Sequence, residues 1–180
     1  MRTLFHRKFI REPFAKMASM QVKSRTKLSQ EGLALAAVLR SHRILVEEVE
    51  RRLRDEVDLS LALFEALHVL AQGPEDRLRM VDITRRMCVS KSNVTQLVDK
   101  LEAQGFVARV QSPTDRRLVY AMLTERGREA AKRGEEIFNS SAKEDFARFM
   151  TKGEIEKISS GLTKVITALE PDSVVSTMDD

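Results

Sequence analysis

The sequence contains little cysteine, glycine and proline, and it lacks any long hydrophobic run. A single cysteine, Cys88, excludes an intramolecular disulfide and suits a reducing compartment. Seven glycines and four prolines in 180 residues are too few for an all-β sandwich, which needs turn residues every ~8–12 positions. The longest uncharged apolar run, residues 32–39, is far shorter than the ~20 residues of a transmembrane helix. We therefore expect a globular, cytoplasmic protein that does not span a membrane.

Motifs of enzymes and of metal sites are also missing. The chain has no GxGxxG, P-loop, HExxH or GxSxG pattern. Its histidines are His6, His42 and His68, and no two of them have the i, i+4 spacing of a helical metal site. We therefore predict that the protein is not an enzyme and that it needs no metal or cofactor.

Positive charge is concentrated in two zones of a chain whose net charge is only +4. Residues 1–28 carry eight basic residues and one acid, and residues 79–123 carry eight basic residues and four acids. Basic zones favour polyanion binding, but a solvated surface, a transit peptide, or a start at Met17 or Met20 would explain the tail as well. We expect residues 1–28 to be disordered and residues 170–180 to be frayed, and we assign no chemistry to either.

Helical periodicity predicts long helices on both sides of a central block. Ser29 is placed to cap a first helix that runs to about Glu56, and Thr124 to cap another that runs to about Phe149. The stretch Thr151-Lys152-Gly153-Glu154 is a capping box that starts a last helix.

The central block has the pattern of a helix-turn-helix followed by a β-hairpin. Ser90 is placed to cap a helix that Gly105 ends. The apolar period then changes from 3.6 to 2, which predicts two strands around a polar turn that holds two arginines. The predicted elements are helices over residues 61–71, 81–87 and 91–104, a polar loop over 73–77, and strands over 106–111 and 118–123.

The helix that follows Ser90 suits the major groove of DNA. A helix with its side chains is about 10–12 Å across, and the groove is ~12 Å wide. Its polar face offers groups that read base edges or bind phosphates, and an arginine at a hairpin tip can enter a narrow minor groove. The candidate DNA-binding residues are Ser90, Lys91, Ser92, Asn93, Thr95, Gln96 and Lys100 on the helix, and Asp115, Arg116 and Arg117 in the turn.

The run from Leu61 to Gly127 resembles the multiple antibiotic resistance regulator (MarR) family of bacterial winged helix-turn-helix repressors. The most specific matches are the Asp-x-Arg wing at residues 113–117 and the Leu-Thr-x-x-Gly exit at residues 123–127; the others are residues 79–83, 89–102 and 105–109. The resemblance implies a mainly α-helical fold with a small β-hairpin wing. Residues 58–123 would form the winged helix-turn-helix region, and residues 29–57 and 124–169 would form dimerisation helices.

The resemblance also implies a function. The protein would be a homodimeric transcriptional repressor that reads a pseudo-palindromic site in double-stranded DNA and is released by a small phenolic or other aromatic ligand. Arg117 would insert into the minor groove and Asp115 would brace it by an ion pair, while Arg116 would contact phosphate. A ligand pocket between the dimer helices and the winged region would include His42, Arg43, Phe64 and His68.

Two questions stay open. Cys88 stands in the turn where the family often has a small residue, and it is either a buried structural thiol or a redox sensor whose thiol pKa the following helix lowers. The alternative to a specific regulator is a winged domain for protein contact or for nonspecific DNA binding, without a small-molecule response. Weak salt dependence would favour protein contact.

Overall fold

The computed structural model describes residues 28–87, 89–112, 115 and 117–169. Its contacts divide the chain into two units, residues 1–40 and residues 41–180. The described part of the first unit begins helix α1, Gln30–Val57. Its start is capped as predicted, because the Ser29 hydroxyl accepts the amide proton of Gly32 at 3.2 Å. Large apolar side chains of this unit are exposed, namely Leu28, Leu33, Leu35, Val38 and Leu39.

The second unit contains the rest of α1 and the remaining helices and strands. In chain order these are α2 (Leu61–Ala71), β1 (Arg77–Arg79), α3 (Met80–Met87), α4 (Lys91–Ala103), β2 (Val107–Gln111), β3 (Val119–Leu123), α5 (Glu125–Ser141) and α6 (Lys152–Leu169). The predicted fold class, mainly helical with a small β wing, is confirmed. The predicted limits of the winged region and of the dimerisation helices stay predictions.

The sheet has three antiparallel strands in the order β1-β3-β2. Strands β2 and β3 form the predicted hairpin, with Val107 opposite Leu123. The prediction of a polar loop over residues 73–77 was wrong at its end, since Arg77 begins strand β1 and lies opposite Met122. A three-residue strand has too few positions to show alternation, and β1 exists because β3 offers a free edge for pairing.

Helix α2 lies at the centre of the hydrophobic core. It begins after Ser60, whose hydroxyl accepts the amide proton of Leu63 at 3.3 Å. Each fully buried leucine of this core contributes about 1.5–3 kcal/mol relative to an exposed one. The core residues outside α2 include Leu53 from α1, Ile83 from α3, Val94, Val98 and Leu101 from α4, and Ala121 and Leu123 from β3. The core therefore holds α4 by one side and leaves its opposite side to solvent.

The helix predicted from Thr124 to Phe149 is shorter than expected. Helix α5 ends at Ser141, and a π turn over Ala142–Phe146 and a 3₁₀ turn over Ala147–Phe149 lead into α6. Within the π turn, Asp145 and Glu144 lie 2.8 Å and 3.1 Å from the Arg52 guanidinium of α1. This ion-pair contact joins residues that are about ninety positions apart, so local periodicity did not reveal it.

Candidate nucleic-acid interface

Helix α4 starts with the predicted cap. The Ser90 hydroxyl accepts the amide proton of Asn93 at 3.3 Å and lies 3.0 Å from the Ser92 hydroxyl. Val94, Val98 and Leu101 are at most 1% exposed, so the residues between them face outward. The structure therefore brings the predicted helix residues together on one exposed face: Lys91, Ser92, Asn93, Thr95, Gln96 and Lys100.

Two of the predicted helix residues have hydroxyl groups that already serve the helix itself. Ser90 is the N-cap, and the Thr95 hydroxyl donates to the Lys91 carbonyl at 3.0 Å. The Thr95 hydroxyl proton is therefore not available to a base, and the Ser90 hydroxyl is held at the cap as an acceptor. The side chains that can extend from this face are therefore chiefly those of Lys91, Asn93 and Gln96.

Strand β2 is joined to α4 by an arginine for which the sequence predicted no role. The Arg109 guanidinium lies 2.5 Å from an oxygen of Asp99 and also contacts Glu102. The Arg109 amide donates to Glu102 at 3.2 Å. Partial burial opposes the charged form of Arg109, but hydrogen bonds to the two carboxylates outweigh it and raise its pKa. The sequence did contain a pattern that could have indicated this contact. Two acids, Asp99 and Glu102, lie three positions apart on the helix, and Arg109 follows on the next strand.

The tip of the wing is shaped by hydrogen bonds to Asp115. The Arg117 amide donates to the Asp115 carboxylate at 2.9 Å, and the Leu118 amide donates to the Asp115 carbonyl at 2.9 Å. The carboxylate thus holds the main chain of Arg117, whereas the expectation was an ion pair with its guanidinium. Among the described residues, no ion pair within 4 Å joins these two side chains. Arg117 is exposed, and Arg116 lies outside the described residues.

The Leu-Thr-x-x-Gly motif at residues 123–127 needs its glycine for a steric reason. The Thr124 hydroxyl donates to the Gly105 carbonyl at 2.7 Å and accepts the Gly127 amide proton at 3.0 Å. A Cβ atom on Gly127 would lie 1.9 Å from the Phe106 carbonyl oxygen. Arg126 completes the contact, with its guanidinium 4.8 Å from the centre of the Phe106 ring. Only glycine lets α5 begin this close to the end of α4.

The start of α3 is tied to β1 by a two-point ion pair. The Arg79 guanidinium donates to Asp82 at 2.7 Å and 3.1 Å. The hydrogen bond from Arg79 lowers the pKa of the Asp82 carboxyl. The last turn of α3 adds Arg85 and Arg86, which lie inside the second basic zone of the sequence and were not among the predicted DNA-binding residues.

The predicted ligand residues do not all meet. The ring centres of Phe64 and His68 are 5.7 Å apart, and Phe138 of α5, which was not predicted, stacks on Phe64 at 5.7 Å. His42 and Arg43 are exposed on α1, and no ring contact joins His42 to Phe64 within the described part of the chain.

Three other predictions concern single sites or whole classes. Cys88 lies outside the described residues. No group of three or more potential metal ligands occurs in residues 28–87, 89–112, 115 and 117–169. None of the helices in those ranges combines the length and apolarity that crossing a membrane would require.

Comparison with known sequences gives a match from the end of α1 through strand β2 and the turn that follows it. Residues 57–118 match the MarR family. YkoM of Bacillus subtilis, an uncharacterized HTH-type transcriptional regulator, is 41% identical over 68 residues, which are 38% of this chain and 41% of YkoM. The matched region thus spans less than half of this relative.

Comparison with solved structures gives a likeness over most of the chain. Sco3205 of Streptomyces coelicolor, a MarR family transcriptional regulator in complex with DNA, superimposes with a TM-score of 0.75 at 23% identity, over 81% of this chain and 95% of that one. BpsR of Bordetella bronchiseptica, whose DNA binding is regulated by 6-hydroxynicotinic acid, superimposes with a TM-score of 0.67 at 21% identity, over 78% of this chain and 97% of that one. At these identities the likeness establishes a shared fold.

Proposed function

This chain is a member of the MarR family through its residues 57–118, and on that premise we propose that it is a homodimeric, sequence-specific DNA-binding transcriptional regulator. The proposal adds that the protein is a repressor and that a small aromatic ligand releases it from DNA. The family consists of transcriptional regulators, in agreement with the expectation that the chain is not an enzyme.

The observation that carries the proposal is the exposed polar face of α4 beside the wing. Because the apolar side of α4 is buried, the Lys91, Asn93 and Gln96 side chains extend from a helix whose orientation is fixed. Asn and Gln can bond adenine with two hydrogen bonds, and Lys can bond guanine or phosphate. The structurally similar Sco3205 was solved with DNA, which supports placing this face in the major groove.

The remaining contacts would position the protein on the DNA backbone. Arg117 is exposed at the wing tip, and we assign it to the minor groove, with Arg116 on a phosphate. The first helix of a helix-turn-helix crosses the DNA backbone, so Arg86 in the last turn of α3 is a further candidate phosphate contact.

A second copy of the chain would cover the apolar face of α6. Ile158, Leu162, Val165, Ile166 and Leu169 are each between 37% and 77% exposed. A stripe of this kind on a helix favours a partner helix. Two copies would present two α4 helices to half-sites about one helical turn apart.

The aromatic cluster of Phe64, Phe138 and His68 is the site that we propose for the ligand. Phe64 is 4% exposed whereas Phe138 is 38% exposed, so the stack has one accessible ring. Aromatic molecules favour offset stacking on such a ring. The regulation of BpsR by 6-hydroxynicotinic acid, which is a hydroxylated aromatic acid, supports this ligand class. His42 and Arg43 would join the site only if α1 of either copy approached it.

Fluorescence anisotropy tests the function with DNA from upstream of the protein's own coding sequence and excess nonspecific competitor. We expect tight, salt-sensitive binding that resists the competitor, and Arg117→Ala should weaken it by about 1–3 kcal/mol. Arg148→Ala is the control, since it removes an exposed arginine from the turn before α6. Unchanged affinity of a folded Arg117→Ala dimer would refute the wing role. If the competitor abolishes binding, the protein binds DNA nonspecifically. If no binding occurs even at low salt, the winged region serves protein contact.

A further inference from the structure

The contact between Arg109 and the two acids of α4 lies between the two DNA-reading parts of the molecule. Arg109 is on β2, in the wing, and Asp99 and Glu102 are in the last two turns of α4. The Arg109 side chain is 28% exposed, whereas those of Asp99 and Glu102 are 57% and 40% exposed. The guanidinium is thus turned toward the helix, and both of its carboxylate partners come from the same helix that carries Lys91, Asn93 and Gln96.

This contact adds a restraint to the outer part of the hairpin, whose base is held in the core by Val107, Ala121 and Leu123. Within the part of the chain that the structure describes, β2 is an edge strand, because the sheet order is β1-β3-β2 and β2 pairs with β3 alone. A short turn through Gly105 joins it to α4, and glycine there has a φ of 74°. Beyond the buried base of the hairpin, the free edge of β2 faces solvent, so the outer part of the hairpin can twist relative to α4. The two-point ion pair and the Arg109 amide bond to Glu102 oppose that twisting.

Arg117, at the wing tip, lies several residues beyond Arg109 along the hairpin. Arg109 pairs with Ala121 across the hairpin, and Arg117 precedes Ala121 by four positions. Four extended residues cover roughly 13 Å. A small rotation at Arg109 therefore becomes a displacement of ångströms at Arg117, and a misplacement of that size is enough to lose a groove contact.

We propose that Arg109 is a positioning residue for operator binding, which fixes the wing against α4 so that Arg117 and the exposed face of α4 engage neighbouring grooves together. This inference rests on the proposed function. Arg109 acts through Arg117 and does not contact DNA itself, because both of its partners are carboxylates of its own chain.

Removing the two acids separates positioning from simple electrostatics. The double variant Asp99→Asn, Glu102→Gln removes two negative charges from the helix that faces DNA, so charge alone would tighten DNA binding. Loss of the positioning contact would weaken operator binding. The two explanations therefore predict opposite signs. Both acids are at exposed positions, so we expect this variant to fold, and a melting curve checks that it does.

A cycle with Arg117 separates positioning from a general loss of stability. We expect the double acid variant and Arg109→Met each to weaken operator binding by about five- to tenfold. Arg109→Lys keeps the positive charge, so it should weaken operator binding less than Arg109→Met does. In an Arg117→Ala background the same changes should alter affinity less than about twofold, because the group being positioned is gone. All variants are measured by anisotropy at one salt concentration with competitor present.

Three results would overturn the inference. Tighter or unchanged operator binding by the double acid variant would show that the contact positions nothing. Equal losses with and without Arg117 would show that Arg109 acts on the whole fold or on α4 alone. Failure of the natural protein to bind any operator would remove the proposed function and this inference together, whereas the first two results leave the proposed function intact.

Discussion

Replacing Gly127 by alanine tests how closely the wing and α5 are packed. The new Cβ would lie 1.9 Å from the Phe106 carbonyl oxygen and 2.9 Å from its carbon. Both atoms belong to the backbone, so no rotamer change relieves the clash. The start of α5 would have to move outward, away from the Gly105 and Phe106 carbonyls that Thr124 holds at 2.7 Å and 3.0 Å.

The expected destabilisation follows from three contributions. Forced overpacking costs about 1–3 kcal/mol, and weakening the Thr124 cap costs about 1 kcal/mol. Alanine in place of glycine inside a helix returns about 1 kcal/mol. We therefore expect Gly127→Ala to lower the free energy of unfolding by about 1–3 kcal/mol, which corresponds to about 2–12 °C in Tm for a chain of this size.

Denaturant and thermal unfolding, followed by circular dichroism at a fixed protein concentration, measure this change. Gly153→Ala is the matched control, because Gly153 also lies in the first turn of a threonine-capped helix and a Cβ there would meet nothing within 4 Å. We expect the control to be as stable as the natural protein or more stable by up to about 1 kcal/mol, because alanine in a helix is favoured over glycine and meets no clash there. A Gly127→Ala protein as stable as the control would refute the close approach of α5 to Phe106.

Two further predictions concern charge and assembly. The Arg79 hydrogen bond lowers the pKa of Asp82 below its ordinary 3.8, so the stability that Asp82 contributes is present above about pH 4 and is lost as pH falls through the lowered pKa. Asp82→Asn should therefore lower the free energy of unfolding by about 0.5 kcal/mol at neutral pH, and the difference from the natural protein should shrink toward pH 2–3. Urea unfolding of both proteins at both pH values measures this. A difference that does not change with pH would contradict the prediction. If the chain dimerises through α6 as proposed, Leu162→Asp should convert the dimer into monomers in light scattering and abolish operator binding. Lys164→Asp, which changes charge on another side of α6, should do neither, and a dimeric Leu162→Asp protein would contradict an interface on α6.

Features with a local cause could be predicted from the sequence. The caps at Ser29, Ser90 and Thr124 formed as expected, because a hydroxyl that caps a helix acts within three residues of itself. The capping box also formed, with the Thr151 amide donating to the Glu154 carboxylate at 2.8 Å. The hairpin was found because its period-2 pattern lies within each strand.

Features that depend on contacts between distant elements could not be predicted. Strand β1 forms because β3 offers an edge to it, and the π turn after α5 places two acids against Arg52. Neither cause leaves a pattern within a short window of sequence. The Arg109 contact joins residues only seven to ten positions apart, but it depends on how β2 folds back along α4, which no periodicity within either element shows. The predicted DNA-binding residues of the helix are brought together on one face of α4, those of the wing lie outside it, and contact of either set with DNA remains a prediction.

The residues of α4 are divided between two tasks along its length. Three exposed positions near its start, Lys91, Asn93 and Gln96, take no part in the core or in the contact with Arg109. Val98 and Leu101 pack in the core, and Asp99 and Glu102 contact Arg109. On the proposed function, base preference would be set at these three exposed positions, which can be exchanged without changing the residues that attach α4 to the core and to the wing. The same separation would let an engineer, or natural selection, retarget the protein without first rebuilding its fold.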